Sequence, residues 1–202
     1  MKLILISTPN YFVEEDQIIT SLFDEGLDCL HMRKPETEPV YAERFLTLLP
    51  EKYRKKIVVH DNFYLKNEFD LKGIHLNSRN PMIPGEYNGQ VSASCHTLDD
   101  VSAQKKLYEY VFLSPIFDSI SKKGYRSAFS EELLRKAAKM GVIDKKVVAL
   151  GGIDETNIQL AKEIGFGGVA VMGGLWNHFD PVTDYNYQKL IQQFVRLKKL
   201  AE

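Results

Sequence analysis

The stretch 146–174 constrains the fold more than any other part of the chain. It holds two continuous apolar runs, 147–150 and 168–172, on either side of a segment whose apolar residues recur at helical spacing. Such runs are typical of strands buried on both faces, so the stretch predicts a strand, a helix and a second, parallel strand. A glycine pair follows each run, Gly151-Gly152 and Gly173-Gly174. Both pairs then lie at one end of the sheet, where they either make tight turns or let backbone N–H groups hold a phosphate.

The alternation of strand-like and helix-like segments continues through all 202 residues. Further strands are predicted at 3–6, 28–32, 56–59, 73–76, 90–94 and 110–113, and further helices at 14–25, 41–49, 62–69, 98–107, 130–139 and 187–200. Pro81, Pro84 and Gly85 interrupt the segment after the fourth strand, so we expect a reduced fourth helix. Eight strand–helix units predict an α/β fold with a single domain over residues 1–202, a (β/α)8 TIM barrel, rather than an open doubly wound sheet.

Composition excludes several classes of function. The formal net charge is −1, which argues against nucleic acid or a membrane surface as a partner. No apolar run approaches the roughly 20 residues of a membrane span, and the first residues do not resemble a signal peptide. Cys29 and Cys95 are too few for a disulfide framework. We therefore expect a cytoplasmic protein with small-molecule partners, and the sequence is compatible with a homodimer.

Polar residues gather where the predicted strands end at their carboxyl side, which is the catalytic face of a barrel of this kind. Four of the five histidines lie at or near this rim: His31, His60, His75 and His96. His75 falls inside its strand, which favours a packed, hydrogen-bonded core histidine. His96 begins a helix, where helix capping is an equal alternative to catalysis.

Charged residues at the same rim predict a second anion site, made by Arg33, Lys34 and the loop after the sixth strand. Arg33 shares a strand face with His31 and needs an anion if it points into the barrel mouth. Asp61 either pairs with Arg33 or Lys34 or binds Mg²⁺ through one carboxylate. The loop adds two hydroxyl and two ammonium groups, from Ser119, Ser121, Lys122 and Lys123. Two anion sites at one rim predict an enzyme that joins or processes two phosphorylated substrates.

Seven motifs, in order along the chain, resemble the thiamine phosphate synthase family and its tautomerase-like relatives. They are LHMRK (30–34), IVVHDNFYL (57–65), KGIHLNSRN (72–80), SASCHT (92–97), VFLSPIFDSISKKG (111–124), VVALGGI (147–153) and GGVAVMGG (167–174). The resemblance runs from the first to the eighth predicted strand and implies the (β/α)8 fold. It also implies the synthase reaction, in which hydroxymethylpyrimidine pyrophosphate is coupled to a thiazole phosphate with Mg²⁺ and pyrophosphate is released.

The resemblance also implies roles for individual residues. Arg33 would contact the pyrophosphate, Asp61 would ligate Mg²⁺, and Ser94 would hold the pyrimidine or the pyrophosphate. Ser119, Ser121 and Lys122 fall where the synthase has Thr, Thr and Lys around the substrate phosphates. Backbone N–H groups of the two glycine loops, from Gly151, Gly152, Met172 and Gly173, would hold the thiazole phosphate.

Several positions depart from the synthase pattern. His31 and His60 stand where Gln and Asn are usual. Lys34-Pro35 replaces Glu-Lys, so the second pyrophosphate lysine is displaced by one residue and faces elsewhere. Asn80 stands where a second Mg²⁺ aspartate is expected. We therefore expect only weak Mg²⁺ binding, with Asp61 as the main ligand.

Three alternatives accompany the synthase prediction. The His-x-Arg of the second strand is similar to the tautomerase branch, in which His31 or His60 would transfer a proton near pH 7. SPIF at 114–117 resembles the synthase instead, because the tautomerase histidine would fall at Pro115, so we favour the synthase. A non-catalytic relative would keep the phosphate-binding loops alone. A different phosphate-binding barrel enzyme would need a catalytic Lys or Glu inside a strand, and the sequence places none there convincingly.

Overall fold

Eight parallel strands close into a barrel in the computed structural model, which describes residues 1–118, 129–184 and 186–202. The strands are β1 (Lys2–Ile6), β2 (Cys29–Met32), β3 (Ile57–Val59), β4 (Gly73–Leu76), β5 (Gln90–Cys95), β6 (Tyr110–Leu113), β7 (Val147–Leu150) and β8 (Gly168–Val171). β8 pairs back onto β1, with Val169 beside Leu3 and Val171 beside Leu5. The predicted (β/α)8 fold is therefore confirmed, and the open doubly wound alternative is wrong.

Nine helices accompany the strands in the described ranges. They are α1 (Glu15–Asp24), α2 (Pro39–Leu48), α3 (Glu51–Arg54), α4 (Leu65–Glu68), α5 (Leu98–Gln104), α6 (Glu131–Lys139), α7 (Ile158–Ile164), α8 (Gly173–Trp176) and α9 (Gln188–Ala201). The segment between β4 and β5, all of it described, contains no helix, in line with the prolines and glycine found there. Within the same described ranges, no helix combines the length and the apolar character that a membrane crossing requires.

Side chains of the strands alternate between the two sides of the barrel wall. Those that point outwards, such as Leu5, Leu30 and Val111, are fully buried under the helices. Those that point inwards form a smaller apolar cluster, which includes Ile4 and Phe112. Bulky branched residues usually dominate the interior of such a barrel. Here polar side chains share the interior with them, as described below.

Helix α9 completes the outer layer by packing against α7, α1 and β1. Its Phe194 and Leu197 side chains are fully buried. Lys198 forms an ion pair with Asp28 at 2.8 Å, and the same carboxylate accepts the backbone N–H of Leu3 at 2.8 Å. The last helix therefore helps to fix the first strand in the closed sheet.

Candidate active site

Three histidines lie inside the barrel rather than at its open rim. His31 and His75 are fully buried, and His60 is 4% exposed. His31 Nδ1 lies 2.9 Å from His60 Nε2, and the rings of His60 and His75 stack with centroids 4.3 Å apart. The expectation of a core histidine at position 75 is confirmed. His31 and His60, which were predicted at or near the rim, have side chains enclosed by the packed interior.

Hydroxyl groups on β5 and β6 hold these rings in place. Tyr110 Oη lies 2.6 Å from His31 Nε2, and the Oγ atoms of Ser92 and Ser94 each lie 2.8 Å from a ring nitrogen of His75. Ser92 is beside Tyr110 in the register of β5 and β6, so both face the same layer of the interior. Sequence analysis singled out neither Ser92 nor Tyr110, although the period of two along β5 places Ser92 on the same face as Ser94.

Burial keeps the three imidazoles neutral. Desolvation lowers the pKa of His75 to about 3, and it lowers the pKa of His31 and of His60 well below the ordinary histidine range. The neighbouring rings add to this effect, and the guanidinium groups of Arg33 and Arg79 lower the pKa of His60 further. Desolvation also raises the pKa of the Tyr110 hydroxyl. The whole cluster is therefore uncharged near pH 7.

The histidine cluster does not have the geometry of a metal site. One nitrogen from each ring lies within 4.8 Å of the others, which is close enough for three ligands of one ion. However, both nitrogens of His31 and both of His75 already take part in hydrogen bonds.

The carboxylate of Asp61 is held by the loop that follows β4. Arg79 Nη2 lies 3.1 Å from Oδ1 and 3.3 Å from Oδ2, and Asn80 Nδ2 donates to Oδ1 at 2.9 Å. The predicted pairing of Asp61 with Arg33 or Lys34 is therefore wrong. Arg79, which sequence analysis did not single out, takes that place. Arg79 could have been identified from its position next to Asn80 in the KGIHLNSRN motif.

Arg33 lies next to this pair at the barrel mouth and is half-buried. Its backbone N–H donates to Ser7 Oγ at 3.0 Å, which fixes the start of its side chain. Burial and the neighbouring Arg79 lower the pKa of Arg33, whereas Asp61 raises it. Among the described residues, no carboxylate forms an ion pair with the Arg33 guanidinium.

The residues around Asp61 do not fit the Mg²⁺ site that the family resemblance implies. Mg²⁺ needs octahedral oxygen ligands at about 2.0–2.1 Å, but a guanidinium already covers both oxygens of this carboxylate. Asn80 adds no oxygen ligand, because its Nδ2 donates to Asp61 Oδ1 at 2.9 Å and to the carbonyl oxygen of His60 at 3.0 Å. Both partners only accept hydrogen bonds, which assigns the amide nitrogen to this side.

Lys34 does not belong to the anion site that the sequence predicted. Its ammonium group lies 2.6 and 2.7 Å from the two carboxylate oxygens of Glu15, and it also donates to Thr8 Oγ1 and to the carbonyl oxygen of Asn10. Lys34 is 4% and Glu15 1% exposed. All three ammonium protons therefore have partners within the protein. The lysine faces elsewhere, as its displacement by one residue indicated, and it anchors the loop after β1.

Tyr11 in that loop carries the single buried side-chain oxygen that has no hydrogen-bond partner in the described part of the chain. Its ring lies over the Lys34 ammonium group at 4.3 Å. Burial raises the pKa of Tyr11, and the carboxylates of Glu15 and Asp61 raise it further. The hydroxyl is therefore protonated and can donate to an acceptor near the mouth. Sequence analysis missed Tyr11, which belongs to none of the motifs.

The loop after β7 requires glycine at two successive positions. Gly151 and Gly152 have φ values of +94° and +66°, in the left-handed region. A Cβ atom on Gly152 would lie 2.3 Å from the carbonyl oxygen of Asp118, and one on Gly174 would lie 2.3 Å from that of Ile153. The loops after β7 and β8 therefore pack against each other at one end of the barrel, as the two glycine pairs predicted.

Helix α8 begins immediately after β8. The N–H groups of Leu175 and Trp176 both donate to the carbonyl oxygen of Met172, at 3.1 and 2.9 Å. The N–H groups of Gly173 and Gly174 precede them and have no acceptor within the helix, as in the first turn of any helix. In the facing loop, Asn157 Nδ2 donates to the carbonyl oxygen of Gly152 at 2.7 Å. The prediction that a phosphate binds between these two loops depends on their backbone N–H groups.

The structure describes two of the remaining predicted residues, Ser94 and His96. Ser94 is half-buried and its hydroxyl is oriented by His75. His96 is exposed before α5, while Thr97 and Asp100 form the capping box of that helix. Four predicted residues lie outside the described residues, so their roles stay predictions: Ser119, Ser121, Lys122 and Lys123.

Comparison with known proteins shows which family this chain resembles. Residues 3–175 match the family described as "Thiamine monophosphate synthase". The thiamine-phosphate synthase of Flavobacterium johnsoniae is 30% identical over 216 aligned positions, which cover 99% of this chain and 97% of that protein. The corresponding protein of Actinobacillus succinogenes is 28% identical, over 78% of each chain.

Solved structures agree with the sequence comparison. A thiamine phosphate pyrophosphorylase from Bacteroides thetaiotaomicron is 55% identical, with a TM-score of 0.93 over 100% of this chain and 98% of that one. A thiamine phosphate pyrophosphorylase from Pyrococcus furiosus is 20% identical, covers 99% of this chain and 95% of that one, and has a TM-score of 0.76, which supports the fold alone. On the family match and the near full-length relatives together, this chain belongs to the thiamine monophosphate synthase family of enzymes.

Proposed function

We propose that the chain catalyses the thiamine phosphate synthase reaction. Hydroxymethylpyrimidine pyrophosphate and a thiazole phosphate are the substrates, and thiamine phosphate and pyrophosphate are the products. The bond between the pyrimidine methylene carbon and the pyrophosphate oxygen breaks, and its electron pair leaves with the pyrophosphate. The lone pair of the thiazole nitrogen forms the new C–N bond, so the electrons balance without an oxidant or a reductant.

The observation that carries this proposal is that two separate sets of possible anion ligands lie at one end of the barrel. One consists of the guanidinium groups near Asp61, and the other consists of the paired glycine loops after β7 and β8. A synthase that brings two phosphorylated molecules together needs such a pair. Family membership supports the same reaction.

In this proposal Arg33 stabilises the leaving pyrophosphate. Negative charge develops on the pyrophosphate oxygen as the C–O bond breaks, and a fixed, partly buried guanidinium lowers the energy of that charge. Arg33 is half-buried and forms no ion pair among the described residues, so its hydrogen-bond donors are available. Lys122, with Ser119 and Ser121, is proposed to contact the same group on the grounds of the family resemblance.

The glycine loops are proposed to hold the phosphate of the thiazole substrate. Gly151 and Gly152 allow the left-handed turn of the loop after β7, and Gly173 presents its N–H at the start of α8 next to Met172. Ser94 is proposed to contact the pyrimidine, since its hydroxyl lies on the inner face of β5 and is oriented by His75. We derive no step through Mg²⁺, because the residues at Asp61 do not fit it.

The tautomerase alternative receives less support from the geometry. Proton transfer by a histidine is most effective when its pKa lies near the working pH. Burial lowers the pKa of His31 and of His60 well below that range. We therefore propose that these two histidines position the interior of the site and do not act as acid–base catalysts. A cytoplasmic location and a homodimer remain predictions from the sequence.

The test is to incubate the protein with both synthase substrates and to measure thiamine phosphate and pyrophosphate together. We expect equal amounts of the two products. Fast turnover of a thiazole carboxylate phosphate, with no thiamine phosphate formed, would instead favour the tautomerase.

A substitution tests the proposed phosphate site at the glycine loops. Gly173→Asp is expected to weaken binding of the thiazole phosphate at least about tenfold, because it places a carboxylate beside the substrate phosphate. Gly85→Asp is the matched control, since a Cβ at Gly85 meets no atom within 4 Å. Equal affinities of the two variants in calorimetry would show that the phosphate binds elsewhere.

A further inference from the structure

At the barrel mouth the carboxylate of Asp61 is paired with Arg79, and its charge also acts on Arg33. Arg79 contacts both oxygens of Asp61, at 3.1 and 3.3 Å, while Arg33 has no ion-pair partner in the described ranges. Burial lowers the pKa of Arg33, the positive charge of Arg79 lowers it further, and Asp61 raises it. Positive charge is therefore in excess here before any substrate binds.

The hydrogen bonds around Asp61 fix Arg79 rather than prepare a metal site. Asn80 Nδ2 bridges Asp61 Oδ1 and the carbonyl oxygen of His60, so it presents donors where a metal would need oxygen. Asn77 Nδ2 donates to the same carbonyl at 3.0 Å, and Asn77 Oδ1 accepts the backbone N–H of Arg79 at 3.0 Å. These contacts hold the backbone at Arg79, and Asp61 aligns its guanidinium.

We infer that Arg33 and Arg79 bind the pyrophosphate together, and that Arg79 supplies the positive charge that a divalent metal would otherwise supply. The inference rests on the proposed function. Each guanidinium offers a planar set of donors that matches phosphate oxygens. Pyrophosphate is an anion of high charge, so it relieves the repulsion between the two arginines when it binds. Asp61 is then a positioning residue for Arg79, and neither binding nor turnover requires Mg²⁺.

The first experiment measures binding of inorganic pyrophosphate by calorimetry in buffer that contains EDTA. We expect the wild-type protein to bind without metal and Arg79→Gln to bind at least about tenfold more weakly, because one charge-assisted contact is lost. Arg135→Gln is the matched control, since Arg135 pairs with Glu131 on the exposed face of α6. Arg79→Lys keeps the charge and is expected to lie between the wild type and Arg79→Gln.

The second experiment follows thiamine phosphate formation in EDTA and in Mg²⁺. We expect the rate of thiamine phosphate formation by the wild-type protein in EDTA to remain within about threefold of its rate in Mg²⁺. The inference is wrong if pyrophosphate binds and turnover occurs only with Mg²⁺, or if Arg79→Gln binds pyrophosphate as tightly as Arg135→Gln. If instead no thiamine phosphate forms under either condition while pyrophosphate still binds in EDTA, the proposed function is wrong and the two-arginine site stands.

Discussion

Buried histidines make the stability of this barrel depend on pH at the scale of single residues. His31, His60 and His75 stay neutral in the folded protein, because burial lowers the pKa of each. In the unfolded chain a histidine takes up a proton below about pH 6.5. The unfolded state therefore binds more protons as the pH falls, and the folded state loses stability.

We predict that the free energy of unfolding falls by about 1.4 kcal/mol per pH unit for each of the three histidines below about pH 6. The loss starts near the unfolded pKa and, for His75, continues down to its folded pKa of about 3. Urea titrations between pH 5 and 6 measure the slope. His75→Asn should remove about a third of the contribution that these histidines make to it. Val182→Ala, at an exposed position without a titratable group, should leave the slope unchanged. Equal slopes in the two variants would contradict the prediction.

Single residues were predictable where the signal lies within one strand. His75 was identified as a core histidine because it falls inside β4. Lys34 was wrongly assigned to an anion site. Its ion-pair partner, Glu15, is on another element, and no local sequence pattern links the two residues. Arg79 was overlooked for the same reason, since its ion pair with Asp61 joins two different loops.

At the scale of elements, the buried Lys34–Glu15 pair joins the end of β2 to the start of α1. The ammonium and carboxylate groups lie 2.6 Å apart in an almost fully buried position. Burial raises the pKa of Glu15 and lowers the pKa of Lys34, although each group partly offsets the effect on the other. Burial therefore opposes the charged form of each group, and the pairing of the two charges opposes that effect.

We predict that Lys34→Met and Glu15→Met each reduce the free energy of unfolding by about 3–5 kcal/mol, because each leaves a buried charge without its partner. The double variant should lose less than either single variant. A double-mutant cycle based on urea titrations measures this coupling. The exposed pair Arg135 and Glu131 on α6 is the control, with an expected coupling of about 0.3–0.5 kcal/mol. Additive losses for Lys34 and Glu15 would show that the buried groups do not depend on each other.

Strand positions were predicted more accurately than the short helices. The bounds of β4, β6 and β7 agree with the predicted ones, because continuous apolar runs end abruptly at glycine, serine or asparagine. α8 was missed because a glycine pair is typical of a turn, whereas here it opens a helix that is stabilised by its packing against the β7 loop. α3 was missed because Pro50, which ends α2, also precedes a new turn of helix.

At the scale of the whole molecule, closure of the barrel depends on both ends of the chain. The N-terminal ammonium group donates to the carbonyl oxygen of Ala201 at 2.6 Å. The closed topology was predictable from the count of eight strand–helix units. The polar interior was not predictable in the same way, because its hydrogen bonds connect strands far apart in sequence, such as His31 with Tyr110.

We predict that Phe194→Ala lowers the free energy of unfolding by about 3–5 kcal/mol, since it leaves a large cavity between α9 and the barrel. Phe194 is fully buried, whereas the adjacent Val195 is 41% exposed. Val195→Ala is therefore the control, with an expected change of less than about 1 kcal/mol. Similar losses in thermal or urea unfolding of the two variants would mean that α9 contributes little to closure.

The row of hydrogen bonds from Tyr110 through His31 to His60 has a direction. A neutral imidazole donates from one nitrogen and accepts at the other. If the Tyr110 hydroxyl donates to His31 Nε2, then His31 donates from Nδ1 to His60 Nε2, and His60 carries its own proton on Nδ1. If the phenol accepts instead, each bond reverses and His60 Nδ1 keeps a lone pair. The orientation of the hydroxyl at Tyr110, the first residue of β6, therefore fixes the tautomers of both His31 and His60.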